Sequence, residues 1–281
     1  METNVINGCN QMKSIIIDTD IDSDIDDALA LMMAIKSNLD IKLITTVHGD
    51  TKVRARIAKK LTQLLGKEIP VAYGENIPLK QSHIFWIGNE GKDFIDNHER
   101  YDIIPNAVDR IAETAYANKG IEIAAIGPLT NIAKALKKYK GLENYISHIY
   151  IMGNAILHSD RYFINYKAHN FKVDPEAVDI VINSSIKKTI ITTTVSKQNY
   201  LTDKDFRTIS SLHNKASDYI CKSVKVWQKV MNCNLTYLYD PLTIYHIIDY
   251  DITKKNTIDN TLVTIDADKG FKQIFMDIIM R

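Results

Sequence analysis

The stretch that decides the fold of this chain is Ile15-Ile16-Ile17-Asp18-Thr19-Asp20-Ile21-Asp22-Ser23-Asp24-Ile25-Asp26-Asp27. Its apolar start predicts a buried β-strand, and the apolar run 28–35 that follows predicts an α-helix. Asp26 and Asp27 fall in the first turn of that helix, where negative charge is favoured. Six aspartates within ten positions thus separate a strand from a helix, at the edge where open α/β sheets bind ligands.

The six aspartates are too close together to ionise all at once without a bound cation, because like charges raise one another's pKa. Oxygen-only ligands favour a hard cation, Ca²⁺ or Mg²⁺. The alternative is a solvated acidic turn. That alternative is disfavoured because a solvated turn rarely joins a wholly apolar strand to an apolar helix. The stretch therefore predicts a metal site.

Composition bounds the class of protein. The chain has 281 residues, of which 45% are hydrophobic and 25% charged, as in a globular protein of one large domain or two small ones. Its net charge of +1 implies no general attraction to nucleic acid or to a membrane. The scattered cysteines predict reduced thiols. Residues 1–12 are polar and lack a signal-peptide core, which predicts a flexible amino terminus and a cytoplasmic location.

Strands alternate with helices along the rest of the chain, which predicts right-handed crossovers. We therefore expect an α/β fold: a single domain over residues 1–281, with a mainly parallel central sheet flanked by helices and the site at the carboxyl ends of the strands. Two segments are predicted to be loops, residues 75–100 and a long loop after Asn154 that reaches about Val173. The longest helix is predicted over 212–231, and the tail from Thr261 suggests one or two short strands.

Two other acidic motifs fit the stretch poorly. An EF-hand loop beginning at Asp18 needs glycine at its sixth position and glutamate at its twelfth, where Ser23 and Leu29 stand. A phosphatase of the haloacid dehalogenase type needs glycine and then threonine or valine after the second aspartate, where Ile21 and Asp22 stand. We reject the first motif and regard the second as a remote alternative.

The stretch resembles the signature of the nucleoside hydrolase family, the inosine-uridine-preferring type, and in particular its longer-looped branch. Further matches follow in the order that is usual for the family. They are Thr45–Asp50, Ile69–Gly74 with Pro78-Leu79, Ala125–Ala133, Met152-Gly153, Asn170 with Asp174–Ala177, and Asp240-Pro241. Because these landmarks run in register from residue 18 to residue 241, the resemblance covers most of the chain.

The resemblance implies a calcium ion and a set of ligands for it. Asp20, Asp27 and Asp240 would bind Ca²⁺ together with the backbone carbonyl of Ile126. The alignment leaves open which loop aspartate reaches the metal: Asp20 is favoured over Asp22, and Asp24 is a direct or indirect ligand.

The resemblance also implies roles in substrate binding and catalysis. Asp26 would be the general base that deprotonates a calcium-bound water, while Asp18, Asp50 and Asn170 would hold ribose hydroxyls or orient the metal ligands. Such carboxylates suit the oxocarbenium-like transition state of glycoside hydrolysis. The implied reaction is calcium-dependent hydrolysis of the N-glycosidic bond of a ribonucleoside, which releases free base and ribose.

Contacts to the base are less well defined. His169 could protonate the leaving base or make a structural bond, and Trp86 and Tyr239 could stack on it. Trp227 could pack in the core or face the base. The usual glutamate two residues before Asn170 is Ala168, which puts recognition of the 5′ hydroxyl in doubt.

The alternatives are therefore hydrolysis of a modified nucleoside, such as a deazapurine nucleoside, and a catalytically silent nucleoside- or ribose-binding relative. The expected partner is a small-molecule nucleoside, and the family suggests a homodimer or homotetramer.

Overall fold

The strand predicted before the acidic stretch is β1, near the centre of the main sheet. The computed structural model describes residues 13–22, 24–80, 90–92, 94–96, 98–158, 161–248, 253–258, 261–267 and 270–281. The described strands are β1 (Ser14–Thr19), β2 (Asp40–Thr46), β3 (Val71–Tyr73), β4 (Ile121–Ala125), β5 (Ile146–Gly153), β6 (Ala155–His158), β7 (Arg161–Ile164), β8 (Lys187–Thr192), β9 (Tyr200–Leu201), β10 (Thr236–Tyr237), β11 (Thr253–Ile258) and β12 (Thr261–Ala267).

Helices connect most of these strands. The described α-helices are α1 (Asp26–Lys36), α2 (Thr51–Leu64), α3 (Ala107–Ala117), α4 (Thr130–Lys138), α5 (His169–Val173), α6 (Pro175–Ile182), α7 (Thr193–Ser196), α8 (Asp203–Ser210), α9 (Lys215–Met231), α10 (Tyr239–Ile248) and α11 (Phe271–Ile279). Within the described ranges, no helix combines the length and the apolar character needed to cross a membrane.

The main sheet has eight strands in the order β11-β12-β8-β5-β4-β1-β2-β3. Seven of them, from β12 to β3, run parallel, and only the edge strand β11 pairs antiparallel. Asp18 lies opposite Thr45 of β2 and Ala125 of β4, so the acidic stretch leaves the sheet between two neighbouring strand ends. The predicted fold class, with a mainly parallel sheet flanked by helices, is confirmed.

The sheet is buried on both faces, which explains the unbroken apolar run in β1. Ile15 and Ile17 pack in one hydrophobic core with α1 and α10, while Ile16 packs in a second core with α3 and α4. Side chains alternate between the two faces of a strand, so consecutive isoleucines must fill both cores. The two helix layers thereby hold the carboxyl end of β1 in place.

Three segments differ from the predicted secondary structure. The predicted long loop after Asn154 contains the β6–β7 hairpin and α5, since four-residue strands of mixed polarity carry little periodicity. The tail adds α11 beyond its strands, which buries Phe271 and Phe275 at helical spacing. The longest helix begins at Lys215 rather than at residue 212, because the side chain of Asn214 caps it by accepting a hydrogen bond from the Ser217 amide at 2.9 Å.

Two predictions fall on residues outside the described part of the chain. These are the flexible segment 1–12 and Trp86 in the predicted loop 75–100. The organisation of residues 1–281 as one domain also stays a prediction.

Candidate active site

A cavity of about 340 Å³ opens where β1, β4, β5 and β8 end. The carboxylates that line it come from the β1–α1 stretch and from the start of α10, and they are Asp20, Asp24, Asp26, Asp27 and Asp240. This location is the carboxyl edge that the sequence predicts, because parallel strands bring their carboxyl ends to one side of a sheet.

The carboxylates of Asp26, Asp27 and Asp240 form a compact acidic cluster. One oxygen from each lies within 4.8 Å of the others, and each residue is at most 4% exposed. Burial and the neighbouring carboxylates raise the pKa of all three residues well above the ordinary range. Three buried carboxylates with oxygen-only donors are a site that a hard cation could occupy.

Asp20 sits beside this cluster in a different electrostatic environment. Burial raises its pKa, but the nearby imidazole of His169 and the positive charge of Arg54 outweigh burial, and its pKa lies below the usual value. The nearest approach between Asp20 Oδ2 and His169 Nε2 is 3.8 Å. Asp20 therefore stays ionised at neutral pH and lines the cavity as an anion.

The predicted carbonyl ligand also lines the cavity. The carbonyl oxygen of Ile126 accepts a hydrogen bond from Asn170 Nδ2 at 2.8 Å, and the same amide approaches the carbonyl oxygen of Met152 at 3.3 Å. A carbonyl oxygen has two lone pairs, so this bond leaves one of them for a metal. Asn170 thus holds together the strand ends of β4 and β5.

The structure distinguishes the three loop aspartates, among which the sequence leaves the choice of metal ligand open. Asp22 accepts hydrogen bonds from the Gly91 amide and from the Tyr219 hydroxyl, both at 2.6 Å, and it does not line the cavity. Asp24 does line the cavity, as Asp20 does. The carboxylate of Asp22 is therefore engaged in joining the loop to α9, which leaves Asp20 and Asp24 as candidate ligands.

Asp18 and Asp50 lie outside the cavity lining, although the resemblance implies that they hold ribose hydroxyls or orient the metal ligands. Asp18 is buried and accepts hydrogen bonds from Thr45 and from Asn131, at 2.8 Å for the latter. Burial raises its pKa to about 7. Asp50 is exposed and caps α2 by accepting a hydrogen bond from the Val53 amide at 3.1 Å. Neither carboxylate therefore reaches the cavity lining, and the roles that the resemblance implies for Asp18 and Asp50 stay predictions.

Of the predicted aromatic contacts that the structure describes, one lines the cavity and one does not. Tyr239 lines the cavity, and its ring lies 5.5 Å from that of Tyr237. Trp227 is partly buried against the core that contains α1, and it is not among the residues that line the cavity. Of the two interpretations of Trp227, core packing is the one that fits its position.

Sequence reasoning missed Arg54, a fully buried arginine behind the site. Its guanidinium donates to the backbone carbonyl oxygens of Asp20, of Ile21 at 2.6 Å and of His48 at 2.7 Å. It also pairs with Glu90 at 3.3 Å. A signal was present, because Arg54 interrupts the apolar stripe of α2 at helical spacing from buried alanine and leucine residues.

Replacing Arg54 with methionine is expected to lower the free energy of unfolding by about 3 kcal/mol or more, since buried carbonyls and a buried carboxylate lose their partner. Chemical denaturation measures this loss. The matched control is Arg56→Met on the same helix, which loses an exposed hydrogen bond to Asp96 and should cost about 1 kcal/mol or less. Equal losses in the two variants would show that Arg54 does not hold the loop.

Comparison with known proteins agrees with this geometry. Residues 15–274 match the family model for inosine-uridine preferring nucleoside hydrolases. The chain is 29% identical over 264 residues to the probable uridine nucleosidase 2 of Oryza sativa subsp. japonica, covering 88% of this chain and 77% of the relative. It is 31% identical over 246 residues to the non-specific ribonucleoside hydrolase RihC of Salmonella paratyphi B, covering 81% and 78%.

A solved structure shows the same fold. The purine-preferring ribonucleoside hydrolase from Gardnerella vaginalis matches with a TM-score of 0.81 at 23% identity, over 95% of this chain and 98% of that structure. The predicted family and the predicted enzyme class are confirmed by the matches in sequence. The chain belongs to the family of inosine-uridine preferring nucleoside hydrolases.

Proposed function

We propose that this chain catalyses the calcium-dependent hydrolysis of the N-glycosidic bond of a ribonucleoside, releasing free base and ribose. The observation that carries this proposal is the buried cluster of Asp26, Asp27 and Asp240 in the cavity of a nucleoside hydrolase fold. The same cavity contains Asn170 and Tyr239, which offer a hydrogen-bonding group and an aromatic face to a nucleoside.

The residues present fit a calcium ion. Asp20, Asp27, Asp240 and the carbonyl of Ile126 would hold it, with Asp24 as a further direct or indirect ligand. All are oxygen donors, and Ca²⁺ accepts a larger and more flexible set of oxygens than Mg²⁺ does. When bound, the ion supplies positive charge that lets the carboxylates ionise together and lowers the pKa of a water molecule.

Asp26 acts in this proposal as the general base, because its buried carboxylate lies next to Asp27 and Asp240. It accepts a proton from the attacking water, a contribution worth roughly 10²–10⁴-fold in rate. As the bond to the base breaks, positive charge develops on the ribose ring. The surrounding carboxylates stabilise that charge because they are buried and preorganised.

Tyr239 and His169 are the cavity residues that we assign to the base. The ring of Tyr239 would stack on it, and the imidazole of His169, 3.8 Å from Asp20, could deliver a proton to the leaving nitrogen. The small-molecule partner, the homodimer or homotetramer and the cytoplasmic location remain predictions.

The direct test of the proposed reaction is a substrate panel. Purified protein with Ca²⁺ is incubated with purine, pyrimidine and deazapurine ribonucleosides, and free base and ribose are quantified by chromatography. We expect equimolar base and ribose from at least one member. Binding without any release would contradict the proposal and favour the silent relative.

The acidic cluster also predicts an unusual dependence of stability on pH. The pKa values of Asp26, Asp27 and Asp240 are raised on folding, and that of Asp18 is raised to about 7. At a pH between the ordinary aspartate pKa of about 4 and these raised values, the folded protein therefore binds more protons than the unfolded chain does. The free energy of unfolding of the metal-free protein should fall as the pH rises from about 4 through 7.

Bound calcium should reverse this trend, because metal ligands must be deprotonated. Thermal unfolding of resin-stripped protein at pH 5, 6, 7 and 8, with and without added Ca²⁺, measures both effects. We expect the increase in Tm on adding Ca²⁺ to grow with pH. An increase that is constant across this range would show that the carboxylates do not titrate with metal binding.

A further inference from the structure

The wall of the cavity contains two lysines that the proposed reaction does not use. Lys167 lies in the segment between β7 and α5, and Lys197 directly follows α7 at the end of β8. Neither ammonium group forms an ion pair within the described residues, whereas Lys134, Lys138 and Lys272 each pair with a carboxylate. Two exposed lysines thus line the same cavity as five aspartates without forming an ion pair with them.

Two asparagines beside these lysines present donors to the cavity. The side-chain oxygen of Asn154 accepts the Ala155 amide at 3.0 Å, and that of Asn165 accepts the Lys167 amide at 3.1 Å. The Asn165 amide in turn donates to the Asn154 carbonyl at 2.9 Å, which joins the two residues at the base of the β6–β7 hairpin. Each side-chain oxygen thus accepts a backbone hydrogen bond, and the side-chain NH₂ groups offer donors to a ligand.

We define the donor wall as Asn154, Asn165, Lys167 and Lys197. All four residues line the cavity, and each offers hydrogen-bond donors. A wall made of donors, two of them cationic, is chemically matched to an anion with several acceptor oxygens.

Lys197 of the donor wall follows β8, whereas Asp26 and Asp27 of the acidic cluster follow β1. In the sheet, β8 is separated from β1 by β5 and β4, and neighbouring strands lie about 4.8 Å apart, so the two strand ends are about 14 Å apart. In the proposed reaction the acidic cluster stabilises the ring atoms that become positive, so an anionic substituent of the substrate would face the donor wall instead. Tyr239 offers the aromatic surface for the base. It is the first residue of α10, and Asp240 directly follows it.

We propose that the donor wall binds a phosphate on the 5′ oxygen of the ribose, so that this enzyme prefers ribonucleoside 5′-monophosphates to free ribonucleosides. This inference rests on the proposed function. The bond between C1′ and the base nitrogen breaks and a bond between C1′ and the water oxygen forms. One water proton goes to Asp26, and the leaving base gains a proton. The products are free base and ribose 5-phosphate, and the phosphate ester stays intact.

The test compares kcat/KM, measured by release of base, for uridine, uridine 5′-monophosphate and orotidine. Orotidine carries its negative charge on the base and so distinguishes the two possible positions of the anion. We expect the monophosphate to exceed uridine by about tenfold or more, which is the effect of one charge-assisted hydrogen bond. A preference for uridine or for orotidine over the monophosphate would overturn the inference while leaving the hydrolase reaction in place.

Variants of Lys197 test the wall itself. Lys197→Met should lower the ratio of the two kcat/KM values, monophosphate to uridine, by about tenfold to a hundredfold, and Lys197→Arg should retain most of that ratio. The control is Lys222→Met, an exposed lysine on α9 that lies outside the cavity, which should leave the ratio unchanged. An unchanged ratio in Lys197→Met would overturn the inference. If no substrate releases base, the proposed function is wrong, and the inference fails with it.

Discussion

Replacing Asp26 with asparagine is expected to lower kcat by roughly 10²–10⁴-fold, the usual contribution of a general base. The amide keeps the size of the side chain but cannot accept the proton of the attacking water. Calcium should remain bound, because Asp20, Asp27, Asp240 and the Ile126 carbonyl are unchanged. Steady-state kinetics and calorimetric titration with Ca²⁺ measure the two properties separately.

The control for this variant is Asp102→Asn, an exposed aspartate in the segment before α3. It should change neither kcat nor the affinity for Ca²⁺. Loss of calcium from Asp26→Asn would contradict this expectation. The affinity must be measured because Asp26 lies within the three-carboxylate cluster. That result would make Asp26 a metal ligand, whereas full activity would remove it from the mechanism.

Replacing Asp240 with asparagine is expected to weaken calcium binding by more than about a hundredfold. Mutation of a residue that only orients a metal ligand weakens metal binding by about 10–100-fold. Loss of a metal ligand should weaken it more. Hydrolysis should fall with the occupancy of the site, and a high Ca²⁺ concentration should restore part of it. Titration calorimetry and activity at several Ca²⁺ concentrations measure this dependence.

The same variant should be more stable than the wild type when both are free of metal. Burial and the charges of Asp26, Asp27 and Asp20 raise the pKa of Asp240, so its ionisation at neutral pH costs folding free energy. An asparagine removes that charge, and the Tm of the metal-free variant should rise. A lower Tm together with unchanged calcium affinity would show that Asp240 has a purely structural role.

The centre of the fold follows from local sequence patterns. The isoleucines of β1 require burial on both faces, and the uninterrupted apolar run of α1 requires a helix covered on several sides. Both elements formed where predicted, with Asp26 and Asp27 in the first turn. The location of the acidic site then followed from the rule that parallel sheets bind ligands at the carboxyl ends of their strands.

The roles of individual loop residues could not be predicted in the same way. Asp22 has a positive φ of 81°, and its partners Gly91 and Tyr219 lie far away along the chain. No local pattern encodes such contacts. The donor wall was also missed, because its lysines are isolated in sequence and come together only through the hairpin and the order of the sheet.

Asp50 and Trp227 illustrate a second limit. Each matches a family position or region, yet Asp50 caps α2 and Trp227 packs against the core. A resemblance transfers the position of a residue along the chain, whereas its contacts depend on the surrounding side chains. For Arg54 the reverse holds. Its charge within an apolar stripe is visible in the sequence, whereas its hydrogen-bond partners are not.

The measurement that tests the central claim most directly is the release of base by protein stripped of metal, before and after addition of Ca²⁺. The substrates are a panel of ribonucleosides and their 5′-monophosphates, and free base is quantified by chromatography. We predict that stripping abolishes release and that Ca²⁺ restores it. Release that continues unchanged after stripping, or no release from any substrate with Ca²⁺ present, would contradict a calcium-dependent N-ribosyl hydrolase.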